Sequence, residues 1–325
     1  MKIAVINSSY PVYNLCCHRM LVKFKREQHE VFFSPRADMW SQQCHKAYFS
    51  VIFTWDLPVL CHDASLLKQV GVEIEIGGPA ATAMPGYIEQ QTGIRAHSGL
   101  DERFEHVAGE YLATYTSRGC SRSCDFCIVS QLEGRKMIEY DDFPIPTGEN
   151  PYVLDNNILL TSWGHQQLVV EKLKHVRNLD INSGFDDRIF SRDPERYWRL
   201  YNELHLECFR FAYDLPEQKE AIEACARFLH DKGVDYRRII VFCLVGFPGQ
   251  TFQGCVDRLQ FLKDIETSPY PMRFRPLDCL TRDYTPPGWN SKQLNLLFQY
   301  WGVPFIWRSC TWQEFEESNE LYKII

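Results

Sequence analysis

The sequence predicts an α/β protein in three parts: an N-terminal Rossmann-like doubly wound domain over residues 1–105, a partial (β/α)6 barrel over residues 106–275, and a short C-terminal extension over residues 276–325. Three observations carry this. Short apolar runs alternate with segments whose apolar residues recur at helical spacing, the pattern of βαβ units around a parallel sheet. The run Ile239-Ile240-Val241-Phe242-Cys243-Leu244-Val245 is almost continuously apolar, which suits a strand buried on both faces. Finally, Tyr115-Thr116-Ser117-Arg118-Gly119 reads as a strand end leading into Cys120, Cys124 and Cys127, so the cysteines lie in a strand-to-helix loop.

In the N-terminal part, Ile3-Ala4-Val5-Ile6 is a short strand, residues 15–27 a helix and residues 30–33 a second strand. Val51-Ile52-Phe53-Thr54-Trp55 predicts a third strand, followed by a helix carrying Val59, Leu66, Leu67 and Val70. Val72-Glu73-Ile74-Glu75-Ile76 then runs into Gly77-Gly78-Pro79. Ligands of such sheets bind at the carboxyl ends of the strands.

From about residue 106 a strand–helix unit repeats six times. The first strand ends at the cysteines. The second is Tyr152-Val153-Leu154, followed by a helix with Leu168, Val169, Leu173 and Val176 on one face. Leu179-Asp180-Ile181-Asn182 is the third, and its helix starts at Asp193-Pro194, an N-cap with proline in the first turn. Phe209-Arg210-Phe211-Ala212-Tyr213 is the fourth; the helix after it has Ile222, Cys225, Phe228 and Leu229 at helical spacing and stops at Gly233. The fifth is the apolar run at 239–245, its helix carrying Val256, Leu259 and Leu262, and Met272-Arg273-Phe274 is the sixth. Beyond Thr285-Pro286-Pro287-Gly288 come helical pieces rich in tryptophan, for which core packing or substrate recognition are both open readings.

The net charge of −7 gives no global attraction to nucleic acid. Thirteen cysteines are many, yet their spacing is not that of a secreted disulfide framework, and Cys225, Cys243 and Cys255 sit in apolar periodic stretches as small core residues. The chain opens on a strand without a signal-peptide pattern, and no apolar run approaches a transmembrane length, so a cytoplasmic protein with no membrane contact is expected.

The spacing Cys120-x3-Cys124-x2-Cys127 lets three thiolates hold three irons of a 4Fe–4S cube and leaves the fourth iron open to a chelating molecule. A structural zinc site is the alternative, but zinc takes four ligands in paired short spacings, and no second Cys-x2-Cys occurs. The motif resembles the signature of the radical S-adenosylmethionine superfamily, including an aromatic residue, Phe126, before the third cysteine. The resemblance implies a partial TIM barrel, a 4Fe–4S cluster on Cys120, Cys124 and Cys127, S-adenosylmethionine on the open iron, and an electron donor such as flavodoxin or ferredoxin.

In a barrel of parallel strands, chemistry sits at the strands' carboxyl ends. After the second strand, Asp155-Asn156-Asn157 stands where superfamily members often carry Gly-Gly-Glu for the cofactor's amino group. Asp155 or the Asn156 carbonyl can accept that hydrogen bond, or the triplet is an Asx turn. After the third, Ser183 can reach a ribose hydroxyl and Arg188 can pair with the methionine carboxylate, or Arg188 pairs with Asp186 or Asp187. Asp214 follows the fourth strand at the place for a ribose hydroxyl, and Gly246 begins a turn that resembles the superfamily's adenine-contacting Gly-x-x-Gly.

Together with Glu133-Gly134-Arg135 these segments resemble the branch with an N-terminal cobalamin-binding-like domain. Gly77, Gly78 and Thr82 look like that domain's fourth-strand loop, where small residues let a corrin tail lie against backbone, although no Asp-x-His-x-x-Gly supplies a lower ligand. Bound cobalamin or a supporting scaffold are both open. Cys16, Cys17, Cys44 and Cys61 raise a third possibility, an auxiliary cluster of the methylthiotransferase kind, against reduced structural thiols. The expectation is an enzyme that cleaves S-adenosylmethionine to a 5′-deoxyadenosyl radical, with a cobalamin-dependent methyltransferase, a methylthiotransferase-like enzyme and a non-catalytic iron–sulfur protein as alternatives.

Overall fold

The computed structural model describes residues 1–321, and the chain separates into two compact units. The first comprises Met1–Asn156, Leu160–Val176 and Pro276–Asp283; the second comprises Asn157–Leu159, Arg177–Arg275 and the chain from Tyr284 onward. These boundaries differ from the three consecutive parts expected. The first two strands assigned to the barrel fall in the first unit, in sheets separate from the N-terminal one, and the extension is divided between the units.

In the first unit, β1 (Lys2–Asn7), β2 (Glu30–Ser34), β3 (Lys46–Ser50) and β4 (Glu73–Gly77) form a parallel sheet in the order β2-β1-β3-β4. Side chains alternate across a strand, so Ala4, Ile6, Ala47 and Phe49 face one side while Ile3, Val5 and Tyr48 face the other. Helix α1 (Leu15–Arg26) packs Cys17, Met20 and Phe24 onto the second side. Its first turn is capped by Asn14, which accepts from the Cys17 N–H at 3.2 Å. Helix α2 (Leu57–Gln69) covers the first side with Leu57, Leu60, Cys61, Ala64 and Leu67, each large aliphatic contributing about 1.5–3 kcal/mol on burial. Val59 and Leu66 of this helix, and Val70 just past its end, are exposed.

The third strand lies at Lys46–Ser50, ahead of the predicted position. Residues 51–55 are the loop at its carboxyl end, apolar because Val51 is buried and Phe53 stacks on Trp55 at 4.5 Å. Beyond β4 come α3 (Pro79–Ala83), α4 (Pro85–Thr92) and α5 (Glu102–Glu105). Gly78 joins β4 to α3 at φ +108, and a Cβ there would lie 2.9 Å from the Val51 nitrogen and closer still to its carbonyl oxygen. Gly78→Val is therefore expected to cost about 1–3 kcal/mol for the backbone region and about 1–3 kcal/mol more for the overlap. A thermal melt checks this; a midpoint unchanged from wild type would contradict it.

The cysteines sit differently from the expected strand-to-helix loop. Short β5 (Ala113–Thr114) pairs in parallel with β8 (Tyr152–Val153), while β6 (Ser117–Arg118) pairs antiparallel with β7 (Ile138–Glu139). The cysteine loop is thus the connection of an antiparallel hairpin, with the four-residue α6 (Val129–Leu132) inside it. Gly119, at φ +82, makes this possible: a Cβ there would collide with the Lys136 carbonyl. Helix α7 (Trp163–Leu173) follows β8.

The second unit holds β9 (Asp180–Ile181), α8 (Asp187–Phe190) and α9 (Pro194–Tyr201), the last capped by Asp193 as expected. Its sheet is parallel, in the order β10 (Phe209–Ala212), β11 (Ile239–Val245), β12 (Ser268–Arg273), with α10 (Lys219–Asp231) and α11 (Phe252–Asp264) as connections. Phe209, Phe211, Val241, Cys243 and Val245 point to the buried side. The other side is more open than the continuous apolar run suggests: Ile240 and Phe242 are half-buried, and Tyr270 and Met272 are 51% and 44% exposed. Three helices, α12 (Ser291–Trp301), α13 (Pro304–Ser309) and α14 (Trp312–Leu321), end the unit; Tyr300, Trp301 and Trp307 are buried there, so core packing accounts for these aromatics. The fold is a mixed α/β one with parallel sheets. Among the described residues no helix is long and apolar enough to cross a membrane.

Candidate functional site

Cys120, Cys124 and Cys127 are reduced thiols within eight residues of one loop; Cys120 is buried and the other two, with Phe126 between them, are half-buried. The Cys120 N–H donates to the Gly134 carbonyl at 3.3 Å, and that of Cys127 to the Cys124 carbonyl at 3.0 Å. Burial pushes the Cys127 thiol above its ordinary pKa, against a hydrogen bond from the Val129 backbone. Among the described residues no three His, Cys, Asp or Glu side chains converge as a metal-ligand set. The donor set itself is three soft sulfurs on one connection, which fits an iron–sulfur cluster in chemistry and count.

Beneath the loop lies a buried charge network. Arg118 donates through Nε and Nη2 to the two oxygens of Glu105 at 2.7 and 2.8 Å, and through Nη1 to Glu133 Oε1 at 2.9 Å. Its guanidinium also lies over the Tyr115 ring, 3.2 Å from the centroid. From α1, Arg19 reaches Glu105 at 3.2 Å. Burial opposes ionisation of Glu105, but Arg118 and Arg19 overcome it and hold the carboxyl below the usual range. Glu133 Oε2 accepts from the Gly119 N–H at 2.9 Å and from Asn156 Nδ2 at 2.6 Å.

The two candidate amino-group acceptors part company here. Asp155 is 1% exposed, and both of its oxygens are taken by the N–H and hydroxyl groups of Thr116 and Ser117. Burial raises its pKa against those four bonds. With its acceptor sites filled, Asp155 ties the β5–β6 connection to the end of β8 and offers nothing to a ligand. Asn156 is half-buried; its Nδ2 also donates to the Gly119 carbonyl at 3.3 Å, while its Oδ1 has no partner among the described residues.

The remaining candidates belong to the second unit. Ser183 is exposed. Arg188 contacts Asp186 through Nε at 3.2 Å, and Asp186 in turn accepts from Asn157 Nδ2 at 2.9 Å and from the Arg188 backbone N–H at 3.1 Å. Asp214 accepts from the Leu244 N–H at 2.9 Å; burial raises its pKa against that bond and the charges of Arg258 and Arg188. Gln250 accepts from the Gly246 and Phe247 N–H groups at 3.0 and 3.1 Å. Gly246 has φ +88, and a Cβ there would stand 2.7 Å from Pro286 Cγ, so the turn itself requires glycine.

Asp187, next to Asp186, is buried, with Oδ1 accepting from Gln218 Nε2 at 2.8 Å. Burial pushes its carboxyl up to about 6. The unfolded chain ionises first as pH rises, so this group erodes stability between pH about 4 and about 6. Asp187→Asn removes that dependence: the variant's stability relative to wild type should rise by up to about 3 kcal/mol across the window and stay level above it. Denaturant titrations on either side of the window measure this, and parallel pH curves would contradict it.

The corrinoid loop and the auxiliary cysteines are not assembled as sites. Gly78 is required by the contact with Val51, and the Thr82 hydroxyl donates to the Gly78 carbonyl at 3.2 Å and accepts from the Gly99 N–H at 2.9 Å. Gly77 has only an ordinary contact with His97 Cβ at 3.8 Å. Across the carboxyl edge of the sheet, Thr54 donates to the Cys279 carbonyl at 2.6 Å, Arg282 pairs with Asp56 at 3.3 Å and Leu280 packs on the core. These residues at the carboxyl edge of the sheet are thus engaged with one another. Cys16 and Cys17 pack on the α1 side of the sheet and Cys44 and Cys61 on the α2 side, so the four cannot share a cluster.

Sequence reasoning misses Glu105, Arg118, Thr116 and Ser117. The sequence signal for three of them is that Thr116, Ser117 and Arg118 stand within four residues of Cys120. The chain matches no family model and no curated protein.

Proposed function

We propose that the chain is a radical S-adenosylmethionine enzyme with a partial (β/α)6 barrel, working in the cytoplasm with a flavodoxin- or ferredoxin-like electron donor. The observation that carries this reading is the cysteine loop: three reduced thiols at Cys-x3-Cys-x2-Cys, backed by the Arg118 network and flanked by the open amide oxygen of Asn156. Cys120, Cys124 and Cys127 would hold a 4Fe–4S cluster, which would supply the one electron needed to cleave S-adenosylmethionine to methionine and a 5′-deoxyadenosyl radical able to abstract hydrogen from a substrate. Asn156 Oδ1 would accept a hydrogen bond from the cofactor's amino group. Arg188 pairs with its carboxylate, held by Asp186; Ser183 and Asp214 offer groups to the ribose, and Gly246 keeps a side chain away from the base.

Anaerobic reconstitution with iron, sulfide and a reductant, followed by assay for 5′-deoxyadenosine, tests the reading. Formation of deoxyadenosine and methionine in equal amounts supports it; iron uptake without either product leaves a non-catalytic iron–sulfur protein. Arg188→Ala should weaken S-adenosylmethionine binding by about 1.5–3 kcal/mol, the worth of a hydrogen bond to a charged group. Wild-type affinity in that variant, with iron intact, would remove Arg188 from the site.

A further inference from the structure

Glu133 lies beyond the third cysteine with its side chain almost wholly buried, and three hydrogen bonds converge on its carboxylate from two segments, residues 118–119 and residue 156. Oε1 takes Arg118 Nη1 at 2.9 Å, which satisfies the charge. Oε2 takes two donors at once, the Gly119 N–H at 2.9 Å and Asn156 Nδ2 at 2.6 Å. One oxygen therefore registers the residue before Cys120 against Asn156, three residues past β8. The Asn156 nitrogen faces a second acceptor as well, the Gly119 carbonyl at 3.3 Å. Turning the amide over would set Oδ1 against a carboxylate and a carbonyl, two acceptors with no proton to share, so the orientation is fixed chemically.

We infer that Glu133 is a positioning residue: it holds the Asn156 amide so that oxygen, not nitrogen, is the end offered to a ligand's primary amine, and it locks that acceptor to the Gly119 backbone beside Cys120. The inference rests on the proposed function for the identity of the amine, S-adenosylmethionine. It does not rest on that function for the geometry. A neutral amide suits the task because the nearby carboxylate is already neutralised by Arg118, so the amine meets a directed acceptor rather than a free charge.

The test is a mutant cycle with Glu133→Gln, Asn156→Ala and the double variant, each reconstituted anaerobically and titrated with S-adenosylmethionine. A glutamine at 133 keeps one acceptor oxygen, which the Arg118 charge claims, so its amide N–H2 faces the Gly119 N–H and Asn156 Nδ2; Asn156 relieves the conflict by turning over and offers the ligand a donor. Each single variant should keep about four irons per chain and bind about tenfold more weakly, and the double variant no more weakly than Asn156→Ala. Wild-type affinity in Glu133→Gln, or losses that multiply in the double variant, would overturn the inference. Should Glu133→Gln fail to fold, Asn156→Asp decides the matter. A carboxylate at 156 would bind an amine more tightly if the residue acted alone, but facing Glu133 and the Gly119 carbonyl it should bind more weakly; tighter binding overturns the inference.

A readout on the cluster-free chain separates this from the proposed function. Hydrogen exchange of the buried Gly119 amide should speed up at least tenfold in Glu133→Gln, because the one remaining oxygen stays with Arg118 and the Gly119 N–H faces an amide N–H2. If wild-type protein takes up no iron, the proposed function fails while faster Gly119 exchange still supports Glu133 as the organiser of the loop; unchanged exchange overturns that too.

Discussion

Replacing Cys120, Cys124 and Cys127 together by alanine is expected to lower iron from about four per reconstituted chain to near zero, and to abolish the broad visible absorption of the cluster. On the proposed reading each thiolate would hold one iron, so the triple variant would leave the cube without an anchor. The cost to the apo fold should be small, because two of the three thiols are half-buried and the loop is held by Arg118, Glu133 and backbone bonds instead. Near-identical thermal midpoints for the two cluster-free chains are therefore part of the expected result. Cys44→Ala, which removes a core thiol on the α2 side of the N-terminal sheet, should keep its iron. Iron content unchanged in the triple variant would place the metal elsewhere and end the radical reading.

How much of this is legible in the sequence follows from what periodicity encodes. Strand β11 is legible at Ile239–Val245 because seven apolar residues in a row suit a buried strand and fall short of a buried helix. Helix α9 is legible because Asp193-Pro194 is a strong start signal. The third N-terminal strand is misplaced by sequence because Val51 to Trp55 is more apolar than Lys46–Ser50. A loop buried at the carboxyl edge of a sheet has the composition of a strand without its hydrogen bonds. Hairpin β6–β7 is invisible, since two-residue strands have no period to read.

At the site, the cysteine spacing is fully legible, being local. The network behind it is not: Glu105, Arg118, Glu133 and Asn156 come from four segments, and only the fold brings them together. The grouping of Cys16 and Cys17 with Cys44 and Cys61 fails for a reason of parity. Alternate residues of β1 and β3 face opposite ways, so helices on either side of the sheet carry their thiols apart. Asp155 misleads because a carboxylate at a strand end looks available until its four donors are counted.

Glu105→Ala is expected to destabilise the apo protein by on the order of 3–5 kcal/mol, a fall in thermal midpoint of roughly 6–20 °C for a unit of this size. The reason is the charge left behind. Glu105 faces two arginines, Arg19 and Arg118, and all three are buried; Glu133 compensates Arg118, but Glu105 is the carboxylate that Arg19 contacts, and Arg19 Nε already lacks a partner. Removing Glu105 strands a guanidinium in the interior, where neither water nor a carboxylate reaches it. Glu105→Gln, which keeps the shape and one acceptor, should cost less. The pH dependence has a definite sign. Because the arginines hold the Glu105 carboxyl below its ordinary value, its contribution is complete above the unfolded pKa near 4.5 and is lost as pH falls through the lower folded value. Wild-type protein should therefore show an acid-induced loss of stability that Glu105→Gln lacks. Denaturant titrations at neutral and at acid pH measure both effects, and a Glu105→Ala midpoint within error of wild type would mean that the network contributes nothing to holding the cysteine loop in place.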